Sequence, residues 1–230
     1  MKITVINGTE SKGATFQIKE HFLQPLRAGN DITEFYLPKD FSHFCTGCKS
    51  CFAKSELLCP HATETARIWN ALQTADLIVF AYPVYVSGVP AQVKALLDHF
   101  ACRHLVHRPD NSMFGKRAVL LTQSLRSSNK KAQKEVAGNL NWLGISDIKT
   151  VGFNLKDGYV WEALPAKCRG QIEKAAQKAG ERYQFGKRVR TGIKVKMLFA
   201  IGKMSIQSGI KKSGKLSADA VYWRSQGWVA

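Results

Sequence analysis

A near-continuous apolar run in the middle of the chain is followed by a loop rich in helix breakers. Residues Asp76–Tyr82 are apolar after the opening aspartate, and Pro83 ends the run. A segment that is apolar on both faces predicts a central parallel strand covered on each side. Helical spacing of apolar residues then returns over Ala91–Phe100. The pattern predicts a strand, a loop and a helix, the kind of corner at which open α/β sheets hold their ligands.

The same alternation of strand and helix patterns extends over most of the chain. Four further segments predict strands: Lys2–Asn7, Asp31–Leu37, Lys116–Gln123 and Asp147–Asn154. Helical spacing predicts helices over Phe16–Leu26, Ala62–Thr74, Lys130–Leu143 and Leu164–Phe185. Strands that alternate with helices predict a parallel sheet with helices on both faces. Right-handed crossovers leave few topologies for such a sheet.

Composition narrows the class of protein. The chain has 230 residues and 45% apolar composition, so it can bury a full core, which predicts one domain with an appendage. No apolar run reaches about 18 residues, so the sequence predicts no transmembrane helix. The N-terminus lacks the long apolar segment of a signal peptide, and we therefore expect a cytoplasmic protein. In that compartment the six cysteines should stay reduced.

The positive charge is concentrated at the C-terminal end. The net charge is +17; residues 1–181 contribute +7 and residues 182–230, with 11 basic side chains and one acidic, contribute +10. We therefore divide the chain into a folded domain, residues 1–185, and a basic, partly helical extension, residues 186–230. Such an extension is suited to an acidic partner or a membrane surface.

Helical apolar spacing accompanies the charge in this extension. Lys196, Lys203, Gln207 and Lys211 form one narrow polar stripe, and apolar residues cover most of the remaining circumference. Two interpretations are open: the helix packs on a neighbouring subunit, or it lies on a membrane surface. No nucleic-acid-binding motif accompanies the charge, so we do not expect a nucleic-acid partner.

The loop after the first strand carries small and hydroxyl-bearing residues and leads directly into a helix. Backbone N–H groups at such a helix start, together with the positive end of the helix dipole, favour a phosphate. Thr9, Ser11 and Thr15 add hydroxyl groups, Lys12 adds a cation, and Gly13 precedes the helix. The alternative interpretation is an ordinary strand-to-helix turn.

Four cysteines are grouped within residues 44–60 at the spacing expected of metal ligands. The run is Cys45-x2-Cys48-x2-Cys51-x7-Cys59. Two-residue gaps allow one tight loop to aim three thiolates at one centre, and the fourth cysteine completes the ligands of a [4Fe-4S] cluster. Zinc is the rival metal, although structural zinc sites usually pair two separate cysteine knuckles. Free thiols are the third possibility.

Taken together, these motifs resemble those of the flavodoxin-like NAD(P)H-dependent FMN reductases, and specifically their iron-sulfur flavoprotein branch. The resemblance covers roughly residues 1–185. It is carried by the first loop, by the cysteine run and by a second loop that is similar to the family pattern PxYxxxxPAxxKxxxDR. The residues that match this pattern are Pro83, Tyr85, Pro90, Ala91, Lys94 and Asp98, whereas His99 stands where the family has arginine.

The resemblance implies a fold and a set of cofactor contacts. The implied fold is flavodoxin-like, a three-layer, doubly wound, five-stranded parallel sheet in the order 2-1-3-4-5. The first loop would hold the FMN phosphate and the second would border the isoalloxazine ring. The implied FMN-binding residues are Thr9, Ser11, Lys12, Gly13, Thr15, Pro83, Val84, Tyr85, Val86, Ser87 and Gly88. Cys45, Cys48, Cys51 and Cys59 would ligate the cluster, and a homodimer or tetramer is expected.

The leading hypothesis is therefore a flavin-dependent oxidoreductase that passes electrons between NAD(P)H or a protein donor and an acceptor, which is a small molecule or a protein. We expect no catalytic side chain, because the flavin itself carries the chemistry. An alternative enzyme is an FMN-only NAD(P)H:quinone-type reductase without a cluster. An alternative of another class is a non-enzymatic electron carrier or a membrane-associated module that uses the basic extension.

Overall fold

A sheet of five parallel strands forms the centre of the protein. The computed structural model describes residues 1–155, 160–187, 189–214 and 216–230. The strands are β1 (Lys2–Asn7), β2 (Asp31–Tyr36), β3 (Leu77–Pro83), β4 (Arg117–Ser124) and β5 (Asp147–Asn154). They are hydrogen-bonded in the order β2-β1-β3-β4-β5. This order confirms the flavodoxin-like prediction.

Helices connect these strands and continue beyond the last of them. They are α1 (Ala14–Leu23), α2 (Ser50–Ala53), α3 (Ala62–Thr74), α4 (Ala91–His99), α5 (Lys130–Trp142), α6 (Ala166–Glu181), α7 (Ile193–Ser213) and α8 (Ala218–Ser225). The helix predicted over Leu164–Phe185 is shorter than expected. Pro165 caps its N-terminus, and Tyr183 leaves the helical path to pack its ring against Phe22, with the ring centroids 6.0 Å apart.

Two apolar clusters cover the two faces of the sheet. One lies under α1 and α6 and includes Ile18, Phe22 and Ala176. The other lies under α3, α4 and α5 and includes Trp69 and Leu96. Strand β3 is buried along its whole length because it lies between β1 and β4 with helices on both sides. The apolar run of the sequence is therefore the central strand, as predicted.

The last two helices form a small apolar cluster of their own on the α5 side of the sheet. Phe199 of α7 stacks on Trp223 of α8, with ring centroids 5.0 Å apart, and meets Phe114 of the body edge-on at 5.7 Å. At Gly202 a β-carbon would lie only 2.1 Å from the backbone oxygen of Leu105. The helix thus lies directly on the body at this point.

Two basic residues of the predicted extension, Arg188 and Lys215, lie outside the described residues. Within the part of the chain that the structure describes, no helix combines the length and the apolar character needed to cross a bilayer.

Candidate functional site

The first predicted loop lies between the ends of β1 and β3. The backbone N–H of Gly8 donates to the carbonyl of Ala81 at 2.7 Å, and the side chain of Gln92 donates to the carbonyl of Gly8 at 2.7 Å. A β-carbon at position 8 would lie 2.5 Å from the Cβ of Tyr82, so only glycine fits here. These contacts fix the start of the loop at the middle of the carboxyl edge of the sheet.

The remainder of this loop leads into α1 with its first-turn N–H groups available. Because the N-cap is Gly13 in an extended conformation, it offers no side chain that could accept from those N–H groups. Ser11 and Lys12 are exposed, and Thr9 Oγ1 accepts from the backbone N–H of Ser11 at 3.2 Å. Thr15 is buried. The loop has the features that an anionic group requires, and the predicted residues Thr9 to Thr15 are neighbours in it.

The second predicted loop makes a tight reversal with an unusual backbone. Tyr85 and Gly88 exchange backbone hydrogen bonds of 3.1 and 2.8 Å. The two residues between them have positive φ angles, 48° at Val86 and 60° at Ser87. Positive φ at a β-branched residue is an outlier that costs on the order of 1–3 kcal/mol. Strain of this kind is typical of ligand-binding loops.

A third loop completes this edge of the sheet and was not assigned to the site from the sequence. It follows β4, where Ser124 Oγ donates to the carbonyl of Ser127 at 2.6 Å and Asn129 Nδ2 donates to Ser124 Oγ at 3.1 Å. In the sequence, the largely polar segment Ser124–Asn129 directly after a buried strand is the feature that could have assigned this loop to the site.

One residue, Gln123, joins all three loops. Its backbone carbonyl accepts from the N–H of Val84 at 2.7 Å, and its side-chain oxygen accepts from the Thr15 hydroxyl at 3.4 Å. The loops thus meet at the carboxyl ends of β1, β3 and β4, around the point where the strand order reverses. Flavodoxin-like sheets hold their ligand at this switch point.

A buried ionic network, also missed by the sequence analysis, fixes α1 beside the first loop. The side chain of Lys19 is fully buried, and its Nζ lies 2.7 Å from Glu34 Oε2 and 2.6 Å from Glu20 Oε1. Asn7 and Tyr36 also donate to that Glu34 oxygen, each at 3.0 Å. Burial alone would raise the pKa of Glu34, but hydrogen bonds from Lys19 and Asn7 outweigh burial and lower it.

The four predicted cysteines come together in the loop between β2 and α3. Cys45, Cys48, Cys51 and Cys59 line one pocket. Left-handed backbone at Gly47 and Lys49, with φ of 69° and 61°, turns the chain back on itself between them. Cys45 and Cys48 are exposed, and the other two are partly buried. Hydrogen bonds from the backbone N–H and the side chain of Ser50 lower the pKa of Cys48, whereas burial raises the pKa of Cys51.

Histidines with no role predicted from the sequence lie at the rim of this pocket. Nδ1 of His61 lies 2.9 Å from Nε2 of His99, and His43 stacks on His61 with ring centroids 4.2 Å apart. The backbone carbonyl of Ala95 lies 2.7 Å from Nδ1 of His99, which leaves Nε2 to face the pocket. Ligand atoms of Cys59, His61 and His99 lie within 4.8 Å of one another. His99, which stands where the family pattern has arginine, thus lines the cysteine pocket.

The fifth and sixth cysteines differ from these four. Cys102 is buried beside Cys51 and Cys59, and its burial raises the pKa of its thiol to about 12. Cys168 is partly buried on α6, across the sheet from the pocket. Neither thiol belongs to the four-cysteine pocket.

The strand order and the three loops at the β1/β3 switch point define a flavodoxin-like protein. The chain belongs to the NADPH-dependent FMN reductase family, whose model matches residues 1–159. It is therefore an oxidoreductase, and FMN is the cofactor that its family uses.

Individual relatives agree with this membership. The iron-sulfur flavoprotein of Archaeoglobus fulgidus is 24% identical over 238 aligned positions that cover 100% of both chains. An FMN-dependent NADH:quinone oxidoreductase of Cereibacter sphaeroides is 32% identical over 140 residues, 55% of this chain and 70% of that protein.

A solved structure shows the same fold. The FMN-dependent NADH-azoreductase of Bacillus anthracis, determined in complex with FMN, superposes with a TM-score of 0.59 at 14% identity. The superposition covers 80% of this chain and 100% of the azoreductase.

Proposed function

We propose that the protein is a flavin reductase that oxidises NAD(P)H and passes electrons to an acceptor, with a [4Fe-4S] cluster held beside the flavin domain. The observation that carries the proposal is the joint presence of the three-loop edge and of a pocket lined by four ligand-spaced cysteines. Residues 1–185 form the FMN-binding domain in this proposal, and residues 186–230 form an extension that docks on it. The physiological state would be a homodimer or tetramer.

The first loop would hold the phosphate of FMN. The free N–H groups at the start of α1 and the hydroxyls of Thr9 and Ser11 supply donors to a dianionic group. Lys12 is exposed, and its Nζ lies 5.7 Å from the centroid of the Phe16 ring at the start of α1. It would therefore add positive charge beside the phosphate. The Thr15 hydroxyl donates to the side chain of Gln123. Thr15 would therefore fix the position of the start of α1, and its hydroxyl oxygen could still accept a hydrogen bond.

The second loop would border the isoalloxazine ring with backbone rather than with side chains. FMN, when bound, supplies the capacity to accept a hydride and to release electrons singly. Pro83 and Val84 continue the central strand to the carboxyl edge of the sheet, and the tight turn from Tyr85 to Gly88 projects beyond that edge. Val86 is 101% exposed at its tip, where an apolar side chain can shield one face of a flat ring from water.

The cysteine pocket would hold the cluster, and the residues present fit that group. Its donor set is four thiols on one loop, and the lowered pKa of Cys48 favours the thiolate that iron requires. The full-length similarity to an iron-sulfur flavoprotein supports the assignment. A [4Fe-4S] cluster, when bound, supplies one-electron transfer.

The decisive experiment is flavin, iron and zinc analysis with an absorption spectrum on full-length protein purified without oxygen. We expect FMN and about four irons per chain, as a four-thiolate cluster requires. In Cys48→Ser the iron and its broad visible absorbance should be lost while FMN stays. Cys168→Ser, a thiol on α6 outside the pocket, is the matched control and should keep both.

Other outcomes would replace the proposal. FMN without iron, with steady NADPH oxidation by a quinone, would establish the FMN-only reductase that the quinone oxidoreductase relatives suggest. Zinc that disappears in His61→Ala would assign the pocket to a Cys59, His61 and His99 site. FMN and iron without turnover of either nicotinamide would indicate a non-enzymatic electron carrier.

A further inference from the structure

Helix α7 carries apolar residues on two opposite sides, and among the described residues one side is covered and the other is exposed. Val195, Gly202 and Ile206 are buried against the body and α8. Ile193, Met197, Ile201 and Met204 are exposed, at 79%, 60%, 51% and 68%. At about 100° per residue these four fall within one narrow stripe on the side away from the body.

Lysines border this exposed stripe along both of its edges. By helical position Lys194 and Lys212 lie on one edge, and Lys196 and Lys203 on the other; all four are exposed. Lys211 continues the line of the stripe beyond Met204. The sequence of α7, residues Ile193–Ser213, contains five lysines and no acidic residue.

We propose that this surface, the α7 stripe with its flanking lysines, docks on an anionic lipid membrane. A helix with an apolar face and lysines at its borders lies in the interface plane, with its apolar residues among the acyl chains and its cations at the headgroups. Here the body already occupies the opposite side of the helix, so the stripe is presented outwards on a rigid support. The charge complementarity is with anionic headgroups.

The other occupants fit this surface less well. Pairing two copies through the stripe would bring the lysine borders of both helices together without an acidic residue on either. A nucleic-acid surface places cations at its centre, whereas the centre here is isoleucine and methionine. The surface therefore matches lipid better than it matches a second copy or a nucleic acid.

The proposed surface is also separate from the flavin loops. Helix α7 begins beside residues that precede strands: Thr191 donates to the carbonyl of Phe114 at 3.2 Å, and Gly192 donates to Ser146 Oγ at 2.8 Å. Those residues lie at the amino edge of the sheet, whereas the loops follow the carboxyl ends. Docking therefore goes beyond the proposed function and does not depend on it.

The test is sedimentation of the FMN-loaded full chain with vesicles. We expect binding to vesicles of phosphatidylcholine mixed with phosphatidylglycerol, little binding to phosphatidylcholine alone, and weaker binding as salt rises. Lys203→Glu should weaken binding by at least about fivefold, the factor expected for loss of one surface lysine. Lys174→Glu, the same change on an exposed site of α6 across the sheet, should have little effect.

The double variant Met197→Glu, Met204→Glu tests the apolar part and should abolish sedimentation. Its FMN content and unfolding curve should match those of the wild type, which shows that the fold is intact. Equal binding of wild type and double variant, or equal binding to neutral and anionic vesicles, would overturn the proposal. So would a wild-type dimer that becomes monomeric in the double variant without any vesicle binding, because the occupant would then be a second copy.

Discussion

Arg108 and Asp219 form a largely buried ion pair that joins the C-terminal helix to the cysteine loop. The guanidinium of Arg108, whose side chain is 7% exposed, donates to a carboxylate oxygen of Asp219 and to the backbone carbonyl of Cys51. It also lies 3.2 Å from Glu56 Oε2. One side chain therefore connects α8, the body and the proposed cluster loop.

Further contacts pack α8 against the two neighbours of Arg108 in the chain. Tyr222 donates to the carbonyl of Pro109 at 2.6 Å, and the Trp223 indole N–H donates to the carbonyl of His107. The His107 ring meets Phe52 of the cysteine loop at 4.7 Å between centroids. The extension is thus part of the support of the cysteine pocket.

This support predicts the effect of Asp219→Asn. Removing one charge from a buried pair leaves Arg108 with Glu56 as its remaining carboxylate partner, so we expect a loss of about 1–3 kcal/mol in the free energy of unfolding. Because Arg108 holds the Cys51 carbonyl, iron should also be released faster to a chelator. Urea unfolding and the decay of cluster absorbance measure the two effects. Glu181→Gln, an exposed change at the end of α6, is the control, and equal behaviour of the two variants would refute the supporting role.

The Lys19 network predicts a change in the pH dependence of stability. The pKa of Glu34 is lowered in the folded state, so its stabilising contribution is present above its ordinary pKa of 4.5 and is lost as pH falls. In Lys19→Met, the partly buried Glu34 would lose its cation. We expect a loss of roughly 3–5 kcal/mol at neutral pH, and a smaller deficit in acid, where Glu34 is protonated.

Urea unfolding of wild type and Lys19→Met across the acid range measures this effect. The exposed variant Lys174→Met should follow the wild-type curve. If the loss in the free energy of unfolding of Lys19→Met were the same at every pH, the loss would come from packing and not from charge.

Local signals in the sequence predicted the strands, the helices and the parallel sheet, and the family resemblance supplied the strand order that the structure has. Strand β3 was predictable because a run apolar on both faces has few stable environments other than the middle of a covered sheet. The positions of the two loops and the grouping of the four cysteines in one pocket were also predictable, because each is a contiguous motif; the ligands that they hold stay predictions.

Contacts between distant segments were not predictable in the same way. In the sequence, Lys19 is an ordinary polar position of a helix. Its burial depends on Glu34, which lies on β2. His61 and His99 are 38 positions apart, and nothing in the local pattern brings them together. Arg108 and Asp219 are separated by 111 positions. Such pairs follow from the packing of helices, which one sequence does not specify residue by residue.

The strained turn at Val86 predicts a stabilising substitution. A two-residue turn with positive φ at both positions favours asparagine or glycine at the first of them, and valine is strained there. Val86→Asn should therefore raise the free energy of unfolding of the FMN-free protein by about 1 kcal/mol. Val221→Asn, which removes an exposed valine from helix α8, should bring no such gain. An unchanged or lower stability of Val86→Asn would contradict the strain.

The two glycines of the first loop predict a separation of folding from cofactor binding. At Gly8 an added β-carbon would lie 2.5 Å from Tyr82 Cβ and 2.8 Å from Val93 Cγ2, so Gly8→Ala should lower the free energy of unfolding by about 1–3 kcal/mol. At Gly13 the nearest of the neighbouring atoms, Ser11 Oγ, would be 3.6 Å away, which is ordinary contact. Gly13→Ala should therefore fold with nearly wild-type stability, but its methyl group stands where the phosphate would approach the start of α1.

Urea unfolding of the FMN-free variants and fluorescence titration with FMN measure the two properties separately. We expect Gly13→Ala to weaken FMN binding by roughly tenfold, because a phosphate pushed away from helix N–H groups loses about one hydrogen bond to a charged group. Gly170→Ala on α6, where an added β-carbon meets nothing within 4 Å, is the control for both measurements. If Gly13→Ala bound FMN as tightly as the control did, the phosphate would have to lie elsewhere on the sheet edge.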